Sequence, residues 1–217
     1  MSQTLLIFDF DGTLIDSRRD LATAVNLVRR HYGLEPLLQA KVAGYVGDGI
    51  RNLVKRSLDG MDVDLDEAVG LQRKFYSEHM YDETVLYPGV RRGLQRLRKR
   101  GYALAVASNK LADYCERILE HFKIRNLFVH VAGDGNSGSL KPHPGMFLGI
   151  MKAVGASAGQ TWAVGDGHTD LEAARRAGIR SVFVSYGIGS MAREEPTEVC
   201  SSFDDLLRIF PPVDTAV

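Results

Sequence analysis

Apolar and polar positions fall along this chain in two kinds of block. Short unbroken apolar runs, at 5–8, 102–108 ("YALAVAS"), 161–165 ("TWAVG") and 181–185 ("SVFVS"), predict strands buried on both faces of a parallel sheet. A further apolar stretch, "LFVHVAG", covers 127–133. Between these runs apolar residues recur at helical spacing. The first helix is predicted over 16–31, with Leu21, Val25 and Val28 on one stripe, Asp16 or Ser17 as cap and Gly33 as stop. A second opens at Pro88 and closes at Gly101, and others cover 111–122, 146–154, 169–177 and 204–209. Alternating strands and helices predict an α/β fold, a doubly wound parallel sheet with helices on both faces.

One spacing departs from this rhythm. A strand, its crossover helix and the next parallel strand need about 30 residues, yet Asp9 to Tyr102 is roughly three times as far. The surplus holds two or three helical segments between 39 and 82 and no convincing strand. It predicts a small α-helical cap, residues 16–86, inserted into a core made of 1–15 and 87–217. An insertion leaving the carboxyl end of the first strand should lie over the mouth where open α/β sheets bind ligands.

Composition narrows the function classes. Lys plus Arg and Asp plus Glu both number 27, so charge gives no argument for nucleic acid or an anionic membrane as partner. The basic cluster Arg91, Arg92, Arg96, Arg98, Lys99 and Arg100 reads as a solvated helix face. Cys115 and Cys200 lack metal-site spacing and are too few for a disulfide framework, which fits a reducing cytoplasm. The start "MSQTLLIFDF" has no basic n-region, and its apolar run is too short for a signal or a span. The expectation is a cytoplasmic protein, monomer or homodimer, with a loose tail at 211–217.

The chemistry sits at the strand ends. The first run finishes in Asp9, Phe10, Asp11, Gly12, Thr13; the second in Ser108 and Asn109; the third in Asp166, with Asp170 four residues on. Lys141 lies in "SLKPHP", a loop that two prolines keep from becoming helix. In a parallel sheet these ends share one edge. Clustered acids repel one another without a cation, and carboxylate oxygens completed by waters suit Mg²⁺. Lys141 and Ser108 then suit a phosphate, and a carboxylate beside the metal can attack phosphorus as a covalent nucleophile.

Asp9-Phe10-Asp11-Gly12-Thr13, Ser108-Asn109-Lys110, Lys141-Pro142 and Gly165-Asp166 with Asp170 resemble the four ordered motifs of the haloacid dehalogenase-like hydrolases, across almost the whole chain. The resemblance implies a Rossmann-like core with the helical cap and a set of roles. Asp9 is the nucleophile; Asp11 is general acid and then base, with its main-chain carbonyl on Mg²⁺. Ser108, Asn109 and Lys141 hold the phosphoryl group, and Lys141 also orients Asp9. Asp9, Asp11 and Asp166 form the metal set, supported by Asp170 and Thr13. The second acid, Asp11, argues for phosphate esters over dehalogenation. The cap stretch "YVGDGIRNLVKRSL" resembles the glycine-containing turn of phosphoglycolate phosphatases, which nominates Gly47, Asp48, Gly49 and Arg51 as substrate contacts. The implied substrate is a small phosphorylated metabolite. Gly145 stands where the family commonly has an acid that caps the next helix, and Ser108 where threonine is more frequent.

The same residues admit other readings. "GDGNSG" (133–138) fits a dinucleotide fingerprint, but prolines follow where a helix should open and no acid stands about 20 residues on. A phosphomutase or other phosphotransferase on small sugar phosphates, or a pyrophosphatase, shares the core motifs. A phosphorylated-aspartate switch gains nothing from Asp11. His143 and His168 read as loop residues.

Overall fold

The computed structural model describes residues 3–212; the last five residues of the predicted loose tail lie outside them. β1 (Leu5–Phe8) is buried throughout and sits at the centre of the sheet. Its neighbours are β4 (Ala103–Leu111) on one side and β6 (Thr161–Gly165) on the other, both parallel to it. β5 (His130–Asp134), β7 (Arg180–Val184) and β8 (Glu198–Cys200) complete the order β5-β4-β1-β6-β7-β8. All the pairings are parallel.

The two-residue period of β1 divides the core. Leu5 and Ile7 face a layer of small residues, Ala103, Ala105, Ala107 and Ala163, closed by α7 (Gly145–Val154) and α8 (His168–Ala177). Leu6 and Phe8 face the opposite layer. There α5 (Val90–Lys99), α6 (Ala112–His121) and the short α9 (Leu206–Ile209) contribute Leu94, Leu97, Ile118, Leu119 and Leu206. Covering both faces is what an all-apolar parallel strand requires. The fold is therefore the predicted doubly wound α/β, Rossmann-like sheet.

Four helices lie between β1 and α5: α1 (Arg18–His31), α2 (Gln39–Ala43), α3 (Ile50–Ser57) and α4 (Leu65–His79). They hold a satellite cluster of Val28, Val54, Leu58, Ala68 and Val69. Both ends of this segment run through a small antiparallel ribbon, β2 (Ile15–Asp16) with β3 (Val85–Leu86), which the sequence reading missed. Beside it the buried Asp20 of α1 accepts from the Glu83 and Thr84 N–H groups and from the Thr84 hydroxyl at 2.7–3.2 Å. That carboxylate ties the segment's exit to its entry.

Several expectations are corrected. α1 begins at Arg18 with Ser17 in the cap position; Ser17 turns its hydroxyl to Asp11, and it is the Asp16 carboxylate that accepts the Arg18 N–H, at 3.2 Å, besides pairing with its guanidinium. β4 does not stop at Ser108 but continues to Leu111, through a register irregularity against β5 after Ala107. β8 was not predicted at all. His168 opens α8 and is not a loop residue. α7 starts at Gly145 without an acid, because the His143 ring nitrogen Nδ1 accepts from the Gly145 N–H at 3.0 Å. No helix opens at the end of 133–138; the loop closes on itself through Asn136 and Ser137. Of the basic cluster, Arg91, Arg92, Arg96 and Lys99 are exposed, Arg92 pairing with Asp204, whereas Arg98 and Arg100 are half-buried and donate to Tyr102 O and to Leu207 O and Phe210 O. No helix among the described residues is long and apolar enough to cross a membrane.

Candidate active site

β1 ends by handing its N–H ladder on: the Asp9 N–H donates to Val164 O at 2.8 Å, which fixes Asp9 to β6. The Asp9 carboxylate then meets Asp166, from the end of β6, and Asp170, in the first turn of α8. One oxygen from each of the three lies within 4.8 Å of the others. Thr13 donates to Asp166 Oδ1 at 3.0 Å, and the Ile188 and Gly189 N–H groups donate to Oδ2 at 2.7 and 2.8 Å. This packing leaves no room for side chains at two positions. A Cβ at Gly12, whose φ is +85°, or at Gly187 would overlap Asp166.

Lys141 enters the cluster from the loop after β5. Its buried ammonium donates to Asp9 Oδ1 at 2.7 Å, Asp170 Oδ1 at 2.6 Å and Ala107 O at 2.7 Å. With all three protons engaged, it orients Asp9 first of all; a bond to a phosphoryl oxygen must replace one of these. Burial opposes the charge on Lys141, but Asp170 and Asp9 outweigh it and raise the group's pKa.

One cation for three acids leaves the cluster short of positive charge. Burial, and then Asp170, raise Asp9 from 3.8 to about 7, against the lowering effect of Lys141. Burial and the Asp9 charge raise Asp166 to about 6. Burial likewise raises Asp170. An all-oxygen set that holds excess protons for want of countercharge fits a hard divalent cation. Asp9 and Asp166 are placed to hold it, with Asp170 beside them. The cluster contains two of the expected metal residues, Asp9 and Asp166, together with Asp170, which was expected as support; Asp11 was expected to contribute its main-chain carbonyl, and its carboxylate stands outside the cluster.

Asp11 has other company. Lys110, at the far end of β4, donates to both of its oxygens at 2.9 Å, and the Ser17 hydroxyl donates to Oδ1. Burial works against the Lys110 charge, but Asp11 and Tyr76 push its pKa up overall. Its ammonium also sits 4.4 Å from the centre of the Tyr76 ring on α4. Ser108 is buried at the same cavity; its Oγ accepts from the Lys110 N–H at 3.3 Å, which leaves its own O–H for a ligand.

Asn109 lines the same cavity, but its side-chain amide is engaged within the protein: Nδ2 donates to Gly47 O and to Lys141 O, and Oδ1 accepts from Lys141 N, each at 2.8 Å. It clamps the cap turn and the Lys141 loop together. Of the predicted cap contacts, Gly47 and Gly49 line the cavity with Asp9, Asp11, Ser108 and Lys141. Asp48 pairs with Arg56 at 2.5 Å and, with Gly47, lines a second opening onto Asp9, Asp11, Asp166 and Asp170, whereas Arg51 turns away to Asp66 in solvent. The cavity residues that the sequence reading passed over are Lys110, Gln72 and Tyr76. Lys110 stands in the motif Ser108-Asn109-Lys110 without an expected role.

The geometry has counterparts among known proteins. Residues 6–184 match the family described as haloacid dehalogenase-like hydrolase. The chain is 37% identical to a phosphoglycolate phosphatase of Pseudomonas fluorescens, over 98% of its own length and 80% of the relative's. It is 32% identical to a phosphoglycolate phosphatase of Aquifex aeolicus, over 94% and 95%. A crystal structure of a predicted phosphoglycolate phosphatase from Haemophilus somnus superposes with a TM-score of 0.90 at 31% identity, covering 97% of this chain and 99% of that one. Strand-end acids, cavity and relatives thus converge: the chain belongs to the haloacid dehalogenase-like hydrolases and is a phosphatase.

Proposed function

We propose that the protein hydrolyses the phosphate monoester of a small metabolite of the phosphoglycolate kind, through an aspartyl-phosphate on Asp9. The observation that carries this reading is the division of labour between two carboxylates at one strand end. Lys141 holds Asp9 among acids, while Lys110 and Ser17 hold Asp11 apart on the cap side.

Asp9 Oδ attacks phosphorus, the bond to the leaving oxygen breaks, and Asp11 gives that oxygen its proton. Lys110 then balances the charge left on Asp11. Water next attacks the phosphorus, Asp11 takes its proton, and the bond to Asp9 breaks to release phosphate. Ser108 has an O–H placed to bind a phosphoryl oxygen. A Mg²⁺ held by Asp9 and Asp166 would supply charge neutralisation of the phosphoryl group. Residues 16–86 act as a cap over the cavity, clamped to the core through Asn109 and Gly47. The substrate kind rests on the names of the Pseudomonas and Aquifex relatives. Cys115 and Cys200, both free and buried, are in keeping with a reducing cytoplasm as the place of action.

The test is phosphate release from a panel of small phosphate esters with Mg²⁺, using Asp9→Asn as the blank. Wild type releases phosphate, EDTA stops it, and the variant is inactive at unchanged fold. Full activity of Asp9→Asn, with deamidation excluded by mass spectrometry, would sink the mechanism.

A further inference from the structure

Helix α4 turns two polar side chains into the catalytic cavity and provides partners for neither. Gln72 and Tyr76 are 1% and 2% exposed. Neither Nε2 nor Oε1 of Gln72, nor the Tyr76 hydroxyl, makes a hydrogen bond within the protein. Both residues line the cavity that holds Asp9, Asp11, Ser108 and Lys141. They stand four apart on one helix, so they lie side by side on one face. Every other side chain that residues 16–86 bring to this cavity is apolar: Leu21, Val46, Ile50 and Leu53. A buried polar group without a partner costs about 1–3 kcal/mol. Two such residues, adjacent, facing the reacting groups, are the signature of a site completed by a ligand.

We infer that Gln72 and Tyr76 are the specificity-determining residues for the leaving group, and that they take a carboxylate. The inference rests on the phosphomonoesterase reading and deepens it. The phosphoryl end of the substrate belongs at Asp9 and Ser108, so what reaches α4 is the far end of the leaving group. Two donor groups meet there, the Gln72 amide and the Tyr76 hydroxyl, beside the positive charge of Lys110, which serves both Asp11 oxygens at 2.9 Å and lies against the Tyr76 ring. A carboxylate accepts about four hydrogen bonds and donates none, which matches this donor excess. A leaving group rich in hydroxyls would gain nothing from the Lys110 charge and would find only the Gln72 carbonyl and the Tyr76 oxygen on α4 to accept its protons. The apolar remainder of the wall suits a short methylene spacer.

Tyr76→Phe and Gln72→Met remove the polar atoms at nearly constant volume. Because those atoms have no partner in the free protein, both variants keep or raise the melting temperature. Three esters of similar length supply the readout: 2-phosphoglycolate, 2-hydroxyethyl phosphate and propyl phosphate. Wild type prefers 2-phosphoglycolate, and each variant lowers kcat/KM for it about 10–100-fold. Propyl phosphate stays within about threefold. Equal losses on all three esters, or undiminished preference in both variants, would overturn the assignment. A wild-type preference for 2-hydroxyethyl phosphate that the variants abolish would overturn the carboxylate. Absence of phosphate release by wild type from any ester would instead remove the phosphatase reading beneath it.

Discussion

Lys110→Met separates the aim of Asp11 from the rest of the chemistry. The substitution keeps length and volume and removes one charge from a pair whose side chains are 6% and 12% exposed. At 2.9 Å two unit charges attract by about 6 kcal/mol at an effective dielectric of 20. Desolvation of both groups offsets much of that. What reaches the rate is the loss of both Lys110 bonds that aim Asp11, with only Ser17 left. Positioned general acid–base catalysis contributes about 10²–10⁴-fold. A fall of about 10²-fold in kcat/KM is therefore expected, equivalent to about 2.7 kcal/mol. The assay compares two leaving groups. An alkyl ester such as 2-phosphoglycolate needs its leaving oxygen protonated and shows the full loss. 4-Nitrophenyl phosphate departs as a stable anion and should lose less than about fivefold. Equal losses on both esters, or no loss on either, would refute the assignment of Asp11 as the acid steered by Lys110.

Two further outcomes follow from the geometry. Asn109→Ala strips the partners from the buried N–H and C=O of Lys141 and unclips Gly47; it should cost about 2–4 kcal/mol and lower the melting temperature by about 5–12 °C, and a variant as stable as wild type would show that the clamp does nothing. Asp9 and Asp166 are raised to about 7 and about 6 from 3.8, so the cation-free fold binds more protons than the unfolded chain and loses stability as pH rises through that window. Mg²⁺ replaces those protons, so its stabilisation in thermal unfolding should be larger at about pH 8 than at about pH 5.5; equal shifts at both would argue against these acids as its ligands.

What could be read from sequence follows from what local pattern encodes. A parallel strand buried on both faces is an apolar run whatever it pairs with, so the run at 161–165 marks β6 residue for residue. The polar residue that ends each run is carried to one edge of the sheet by topology alone, which is why Asp9, Ser108 and Asp166 were legible. β8 was not: Glu198 and Val199 are exposed, so an edge strand of three residues leaves no burial pattern. Nor could residue type reveal that the Asn109 amide is occupied by backbone groups from two distant loops.

The cap was harder to read, for a physical reason. Its conspicuous charges are already paired, Arg51 with Asp66 in solvent and Asp48, at the opening onto the acids, with Arg56. A polar group reserved for a ligand looks different in sequence: it interrupts a buried stripe. In α4, Ala68, Gln72 and Tyr76 recur every four residues and are all buried, and Gln72 is the one that an apolar face has no reason to carry. The stripe was readable as a helix face. Its direction was not, because periodicity fixes which residues share a face while the docking of the helix over the sheet edge decides what that face meets. The informative signal for a lid over a strand-end site is thus the polar exception on its buried side.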